Sequence, residues 1–141
     1  MNFLRFSVIV SFLFFSLISC VDEPARQLTE KEIISEIARE WNCSEDEEGF
    51  ALEFTATVSA DPDNDSRIYI YNFHAMGSDS KLYAVVNPDL TLDIPEQTEN
   101  NQVFRGKGIV SDDYTEITWD YTITDEDDNV TSVTGIYSLG G

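Results

Sequence analysis

The feature that most constrains this chain is the alternation of inward and outward residue types along several short runs. Phe50, Leu52, Phe54, Ala56 and Val58 alternate with Ala51, Glu53, Thr55 and Thr57, and Ile117, Trp119, Tyr121 and Ile123 alternate with Thr118, Asp120 and Thr122. Successive side chains of a strand point to opposite faces, so a period of two marks a strand with one dry face. Residues 67–74 are rich in aromatic and β-branched types, 81–86 and 90–94 flank the turn Asn87-Pro88-Asp89, and 130–139 form a last run. Within 102–111, Gly106 and Gly108 predict a bend or bulge. With a short strand near 42–44, this makes seven or eight strands joined by brief turns, without crossover helices. The pattern predicts a mainly β fold, an antiparallel up-and-down meander. Such a meander must close or cover its edges, which a small barrel does; a β-sandwich or a half-barrel wrapped on a helix are the alternatives.

One helix precedes the strands. Thr29 and Glu32 form a Thr-x-x-Glu capping box, and Leu28 and Ile33 can staple its ends. Ile33, Ile34, Ile37, Ala38 and Trp41 recur at helical spacing and make one apolar stripe. The stripe is expected to plug the β domain, with Glu30, Lys31, Glu36, Arg39 and Glu40 in water.

The first nineteen residues differ in kind. Arg5 supplies a positive start, and an uncharged run follows from Phe6 to Ile18 without Gly or Pro. At about 1.5 Å per residue this run is too short for a hydrocarbon core roughly 30 Å thick. It reads as a secretory signal, set apart from the fold. Leu17-Ile18-Ser19-Cys20 resembles the lipobox of bacterial lipoproteins. That resemblance implies cleavage before Cys20, diacylglyceryl and palmitate-type acylation there, and anchoring in a lipid bilayer. With two or three chains the anchor is effectively permanent, because each buried CH₂ contributes about 0.8 kcal/mol. Val21 at the next position implies, by resemblance, delivery to a Gram-negative outer membrane, on its periplasmic or cell-surface face. The expected organisation is a signal over 1–19, a lipidated tether over 20–27 and one domain over 28–141. Over 28–141 the pattern of one helix and about eight strands resembles lipocalin-like small lipoproteins. Arg39-Glu40 stands before Trp41 where those proteins carry Gly-x-Trp, which points to a looser relative.

Charge excludes one class of partner. The chain has 27 Asp and Glu against 8 Lys and Arg, one of them Arg5 in the leader. Nucleic-acid affinity rests on Lys and Arg contacts to phosphate, so no nucleic acid is expected as a partner. Cys20 is committed to lipid, which leaves Cys43 single, as a small semi-buried hydrophobe.

The acids cluster in turns. If the meander holds, the end carrying 45–49, 75–80, 95–101 and 125–129 has eleven acids against six at the other. Glu47, Glu48, Asp125 and Asp127 are the candidate metal ligands there, for Ca²⁺, since hard cations take several carboxylate oxygens; solvated turns explain the same acids without a cofactor. Asp61-Pro62-Asp63-Asn64-Asp65-Ser66 starts like an EF-hand loop but has Ser66 where that loop needs Gly, so a turn of Asx residues is expected. His74 is the single histidine and has no Gly-x-Ser-x-Gly partner motif. A satisfied strand-end histidine is expected, and no catalytic residue is assigned.

The aromatics are numerous. Tyr69, Tyr71 and Phe73 are expected on one strand face opposite Ile68 and Ile70, and with Trp119 and Tyr121 they are the candidate ligand-binding residues. The expectation is a non-enzymatic, membrane-tethered barrel that binds a small apolar ligand or an envelope protein partner. The alternatives are an accessory subunit of an outer-membrane assembly and a small carboxylate-dependent hydrolase.

Overall fold

The computed structural model describes residues 24–140. The signal run and Cys20 lie outside the described residues. Helix α1 spans Glu30–Ile37, and the eight strands are β1 (Glu40–Glu47), β2 (Phe50–Asp61), β3 (Asn64–Tyr71), β4 (Lys81–Val86), β5 (Thr91–Glu99), β6 (Gln102–Val110), β7 (Glu116–Thr124) and β8 (Val130–Ser138). Each strand pairs antiparallel with the next, and β1 pairs with β8, so the sheet closes into an up-and-down barrel. Closure leaves no free edge, and the sandwich and half-barrel alternatives fall.

Local chemistry explains the ends of α1. Thr29 Oγ1 accepts from the Glu32 N–H and the Glu32 carboxylate accepts from the Thr29 N–H, completing the capping box. Ile33, Ile34 and Ile37 are buried against β2, β3 and β4. The helix is shorter than the apolar stripe suggested. Ala38 caps it, and Trp41 belongs to β1, where its ring points into the barrel and its Nε1 donates to the Ile37 carbonyl at 3.0 Å. Strand pairing overrides helical spacing here, because all eight residues of β1 pair with β2, Trp41 with Ala56, and six of them also pair with β8. No helix among the described residues is long and apolar enough to cross a membrane.

The period-two runs fill the barrel, except at the outer end of β2, where Phe50 is exposed and Leu52 and Phe54 are only partly buried. Ala56, Val58, Ile68, Ile70, Leu82, Ala84, Leu92, Phe104, Ile117, Trp119, Tyr121, Val133 and Tyr137 all face inward and are buried. Gly106 and Gly108 make no bulge. Both face inward beneath large rings, and a methyl at Gly108 would lie 2.7 Å from the Trp119 ring. The irregularity sits in β5 instead, between Ile94 and Gln97, around Pro95. There β4 and β5 pair only through Val85–Asp93 and Val86–Leu92. Beyond that point the Gln97 side-chain amide takes the place of a neighbouring peptide, accepting from the Tyr83 N–H at 2.9 Å and donating to the Tyr83 carbonyl at 2.8 Å.

The ends of the barrel are closed differently. α1 covers the end that carries the β2–β3 turn, where Lys31 reaches Asp65 at 3.4 Å. That turn is the expected Asx structure, with Asp61 accepting from the Asp63 N–H and Asn64 from the Ser66 N–H. The opposite end is closed by the segment joining β3 to β4.

Candidate functional site

Three residues of β1 share its inward face: Trp41, Cys43 and Glu45. The first two are apolar. Glu45 is not, and its side chain has no exposure at all. The sequence places it in an acidic turn, but β1 runs on to Glu47 and carries Glu45 into the barrel. Space for it comes from Gly135 on β8, where a methyl would lie 2.9 Å from the Glu45 Cγ. A buried carboxylate is tolerated only when hydrogen-bonded. Tyr121 Oη donates to Glu45 Oε2 at 2.9 Å, Tyr137 Oη reaches Oε1 at 3.3 Å, and His74 Nδ1 stands 2.8 Å from Oε2. Tyr121 Oη is also 2.8 Å from His74 Nδ1. A carboxylate only accepts, so one arrangement serves all three: Nδ1 and both phenols carry the protons and aim them at Glu45. Burial and the nearby Glu45 charge hold both phenols above their ordinary ionisation range. The other imidazole nitrogen, Nε2, lies 3.5 Å from a Glu47 oxygen.

His74 does not end a strand. β3 stops at Tyr71, and Asn72 turns the chain with a left-handed φ of 58° into a short 3₁₀ turn, Phe73–Ala75. His74 and Ala75 are left-handed as well, at φ 52° and 53°. For residues other than glycine and asparagine that conformation costs roughly 1–2 kcal/mol each. Asn72 holds the segment down: its Nδ2 donates to the Thr55 carbonyl at 2.7 Å and its Oδ1 accepts from the Gly77 N–H at 2.7 Å. The turn drives Phe73 into the barrel, fully buried, with its ring 4.7 Å from that of Tyr121, 5.8 Å from Trp119, 6.1 Å from Phe104 and 6.2 Å from Tyr137. Phe73 therefore leaves the face of Tyr69 and Tyr71, correcting the expectation that the three share one. Trp119 Nε1 is buried and has no hydrogen-bond partner among the described residues.

The five candidate ligand residues thus separate into two groups. Phe73, Trp119 and Tyr121 meet inside the barrel beside Glu45. Tyr69 and Tyr71 face outward and are half-buried. Tyr69 pairs across the strands with Tyr83, the Arg67 guanidinium lies 5.7 Å and 5.3 Å from their ring centres, and Lys81 Nζ lies 4.4 Å from Tyr69. The candidate metal ligands are not brought together: no group of three His, Cys, Asp or Glu placed to hold an ion occurs among the described residues. Asp125 is occupied in its own turn, accepting from the Asp127 and Asn129 N–H groups at 2.9 Å, and Glu47 faces His74.

Sequence reasoning missed Glu45 and the role of His74. A signal for Glu45 exists, since it stands two and four residues beyond Cys43 and Trp41, on the parity of an inward face. No comparable signal marks His74, because its position depends on a turn with three left-handed residues. Comparison of the chain with protein-family models and with curated proteins gives no match.

Proposed function

We propose that this chain is a lipoprotein anchored through Cys20 to an outer membrane, and that its barrel is a non-enzymatic binding module for a small, largely apolar ligand. The observation that carries the reading is that Phe73, the ring at the centre of the aromatic cluster, comes from a connecting segment. An eight-stranded barrel is just wide enough for its own side chains to fill it or for one small ligand. Here the wall supplies Phe104, Trp119, Tyr121, Tyr137 and Glu45, and the loop supplies the occupant. Connecting segments open at lower cost than strands, and backbone strain gathers at binding and switching elements.

A second reading rests on the outward pair Tyr69 and Tyr83 with Arg67 and Lys81, a cationic and aromatic strip on a strongly acidic molecule. It supports docking of an acidic envelope protein, as in an accessory subunit of a larger assembly. Native mass spectrometry of the protein extracted from its own membranes separates the two. A retained molecule of a few hundred daltons supports the first reading and a stoichiometric protein the second. Cys20→Ser tests the anchor, because it should move the protein from the membrane to the soluble fraction; a variant that still sediments with membranes rules the anchor out.

A further inference from the structure

The segment that closes the acidic end of the barrel performs two chemical functions at once. Phe73 places a phenyl ring among Phe104, Trp119, Tyr121 and Tyr137, and the next residue, His74, presents an N–H to the buried Glu45 carboxylate at 2.8 Å. We infer that residues 72–80 are a displaceable lid, and that Phe73-His74 occupies the site of a small aromatic amine. This rests on the reading above that the barrel takes a small ligand, and it names the class.

The argument begins with what the site lacks once the lid lifts. An apolar ligand alone would refill the space left by Phe73 but would strip Glu45 of the His74 donor. A buried carboxylate short of a donor is costly, and the cost falls when a cationic group donates to it. The occupant must therefore carry an aromatic ring for the cage and a charged N–H for Glu45, a short linker apart. Aromatic faces attract cations directly, which adds to the preference. The surroundings point the same way. The lid lies at the end that carries Glu47 and Glu48, Glu99 and the run Asp125 to Asp128, whose negative field raises the local concentration of cations.

The lid is also built to be exchanged. His74 and Ala75 are left-handed without being glycine or asparagine, so the closed turn is strained and opening relieves the strain. His74 is partly exposed, at 13 % of its side chain, so the clasp can be reached from solvent. Inside, the Trp119 N–H has no partner in the closed state among the described residues, so the cage retains an unused donor.

The test uses the full chain in mild detergent, titrated with phenethylamine, its neutral counterpart 2-phenylethanol, and butylamine, followed by the Trp119 indole and Gly77 amide NMR signals. Phenethylamine should bind at least tenfold more tightly than either control and shift both signals. Glu45→Gln should bring phenethylamine and 2-phenylethanol within about threefold of each other. His74→Ala removes the clasp at a partly exposed position, and Phe73→Ala removes the plug; either should tighten phenethylamine binding several-fold, because less of the protein is held closed. Equal binding of the amine and the alcohol to the unaltered chain overturns the amine class and leaves the small-ligand reading standing. Binding by Phe73→Ala alone, with no shift in the unaltered chain or in His74→Ala, overturns the lid. No binding by any of these proteins overturns the inference, whereas the reading beneath it falls only if native mass spectrometry of the membrane-extracted protein also shows no retained small molecule.

Discussion

The Glu45 carboxylate and the His74 imidazole stand 2.8 Å apart at the closed end of the barrel, although 29 positions separate them in the chain. Glu45 reaches that point because β1 runs inward-outward as far as Glu47, and His74 because the β3–β4 connection folds back over the barrel. The pair ties the lid to β1, two strands around the barrel from the β3 it follows. Two phenols complete the carboxylate's shell, so its removal affects more than one bond.

Glu45→Ala should therefore destabilise the barrel by about 2–4 kcal/mol, since it leaves the buried Tyr121 and Tyr137 hydroxyls without an acceptor. Glu45→Gln keeps one acceptor oxygen and should cost less than half as much. Chemical denaturation of the two variants checks the order. Equal losses would mean that volume, and not hydrogen bonding, is what the position supplies.

Gly135 exists on β8 to admit that side chain. Gly135→Ala puts a methyl 2.9 Å from the Glu45 Cγ, which cannot swing away because its carboxylate is held by three partners. Overpacking of this kind costs about 1–3 kcal/mol. Combining it with Glu45→Ala should recover much of that loss, and a double-mutant cycle with no coupling would separate the two residues.

Much of this architecture is visible in residue order. The alternation at 117–123 and at 56–58 fixes which residues are buried, Phe50 at the outer end of β2 is 79 % exposed in spite of it, and brief turns fix the meander. The capping box places α1 within one turn of its true start. What escaped depends on contacts between distant parts of the chain. Trp41 fits a helical stripe until pairing with Ala56 of β2 claims it. Glu45 looks like a turn acid because composition says nothing of Gly135 opposite. Phe73 follows Tyr69 and Tyr71 at even spacing, and only the left-handed Asn72 breaks the parity and sends the ring inside. Of the five aromatics singled out, Trp119 and Tyr121 meet because the alternation of β7 turns both inward, and Phe73 joins them because of the turn.

The seam between β4 and β5 gives a prediction of a different kind. Gln97 stands in for a peptide group against Tyr83, with contacts of 2.9 and 2.8 Å. Gln97→Ala should cost about 0.5–1.5 kcal/mol. Its clearest effect should be local: the Tyr83 amide should lose protection from hydrogen exchange, while Val85 and Val86, beside their paired partners, keep theirs. Unchanged protection at Tyr83 would show that the seam is closed by something other than this side chain.

Cys43 predicts the alkaline behaviour of the whole molecule. Its thiol lies on the inward face of β1 beside Trp41 and Glu45, and burial first, with the Glu45 charge adding to it, pushes its ionisation from near 9.0 up to about 12. In the unfolded chain the thiol sheds its proton near the ordinary value, whereas the native state keeps it. Between about pH 9 and 12 the native state thus binds more protons, and the free energy of unfolding falls as pH rises, by at most about 1.4 kcal/mol per pH unit for this group. Tyr121 and Tyr137, also held protonated by burial and Glu45, add decline of the same sign above pH 10. Cys43→Ala should lower stability at neutral pH through lost packing yet flatten the slope between pH 9 and 10, where the phenols contribute little. At pH 8 the native thiol should resist an aromatic disulfide reagent and react fully in denaturant. Rapid labelling of the native protein, or an unchanged slope in Cys43→Ala, would show that this thiol is not shielded by the barrel.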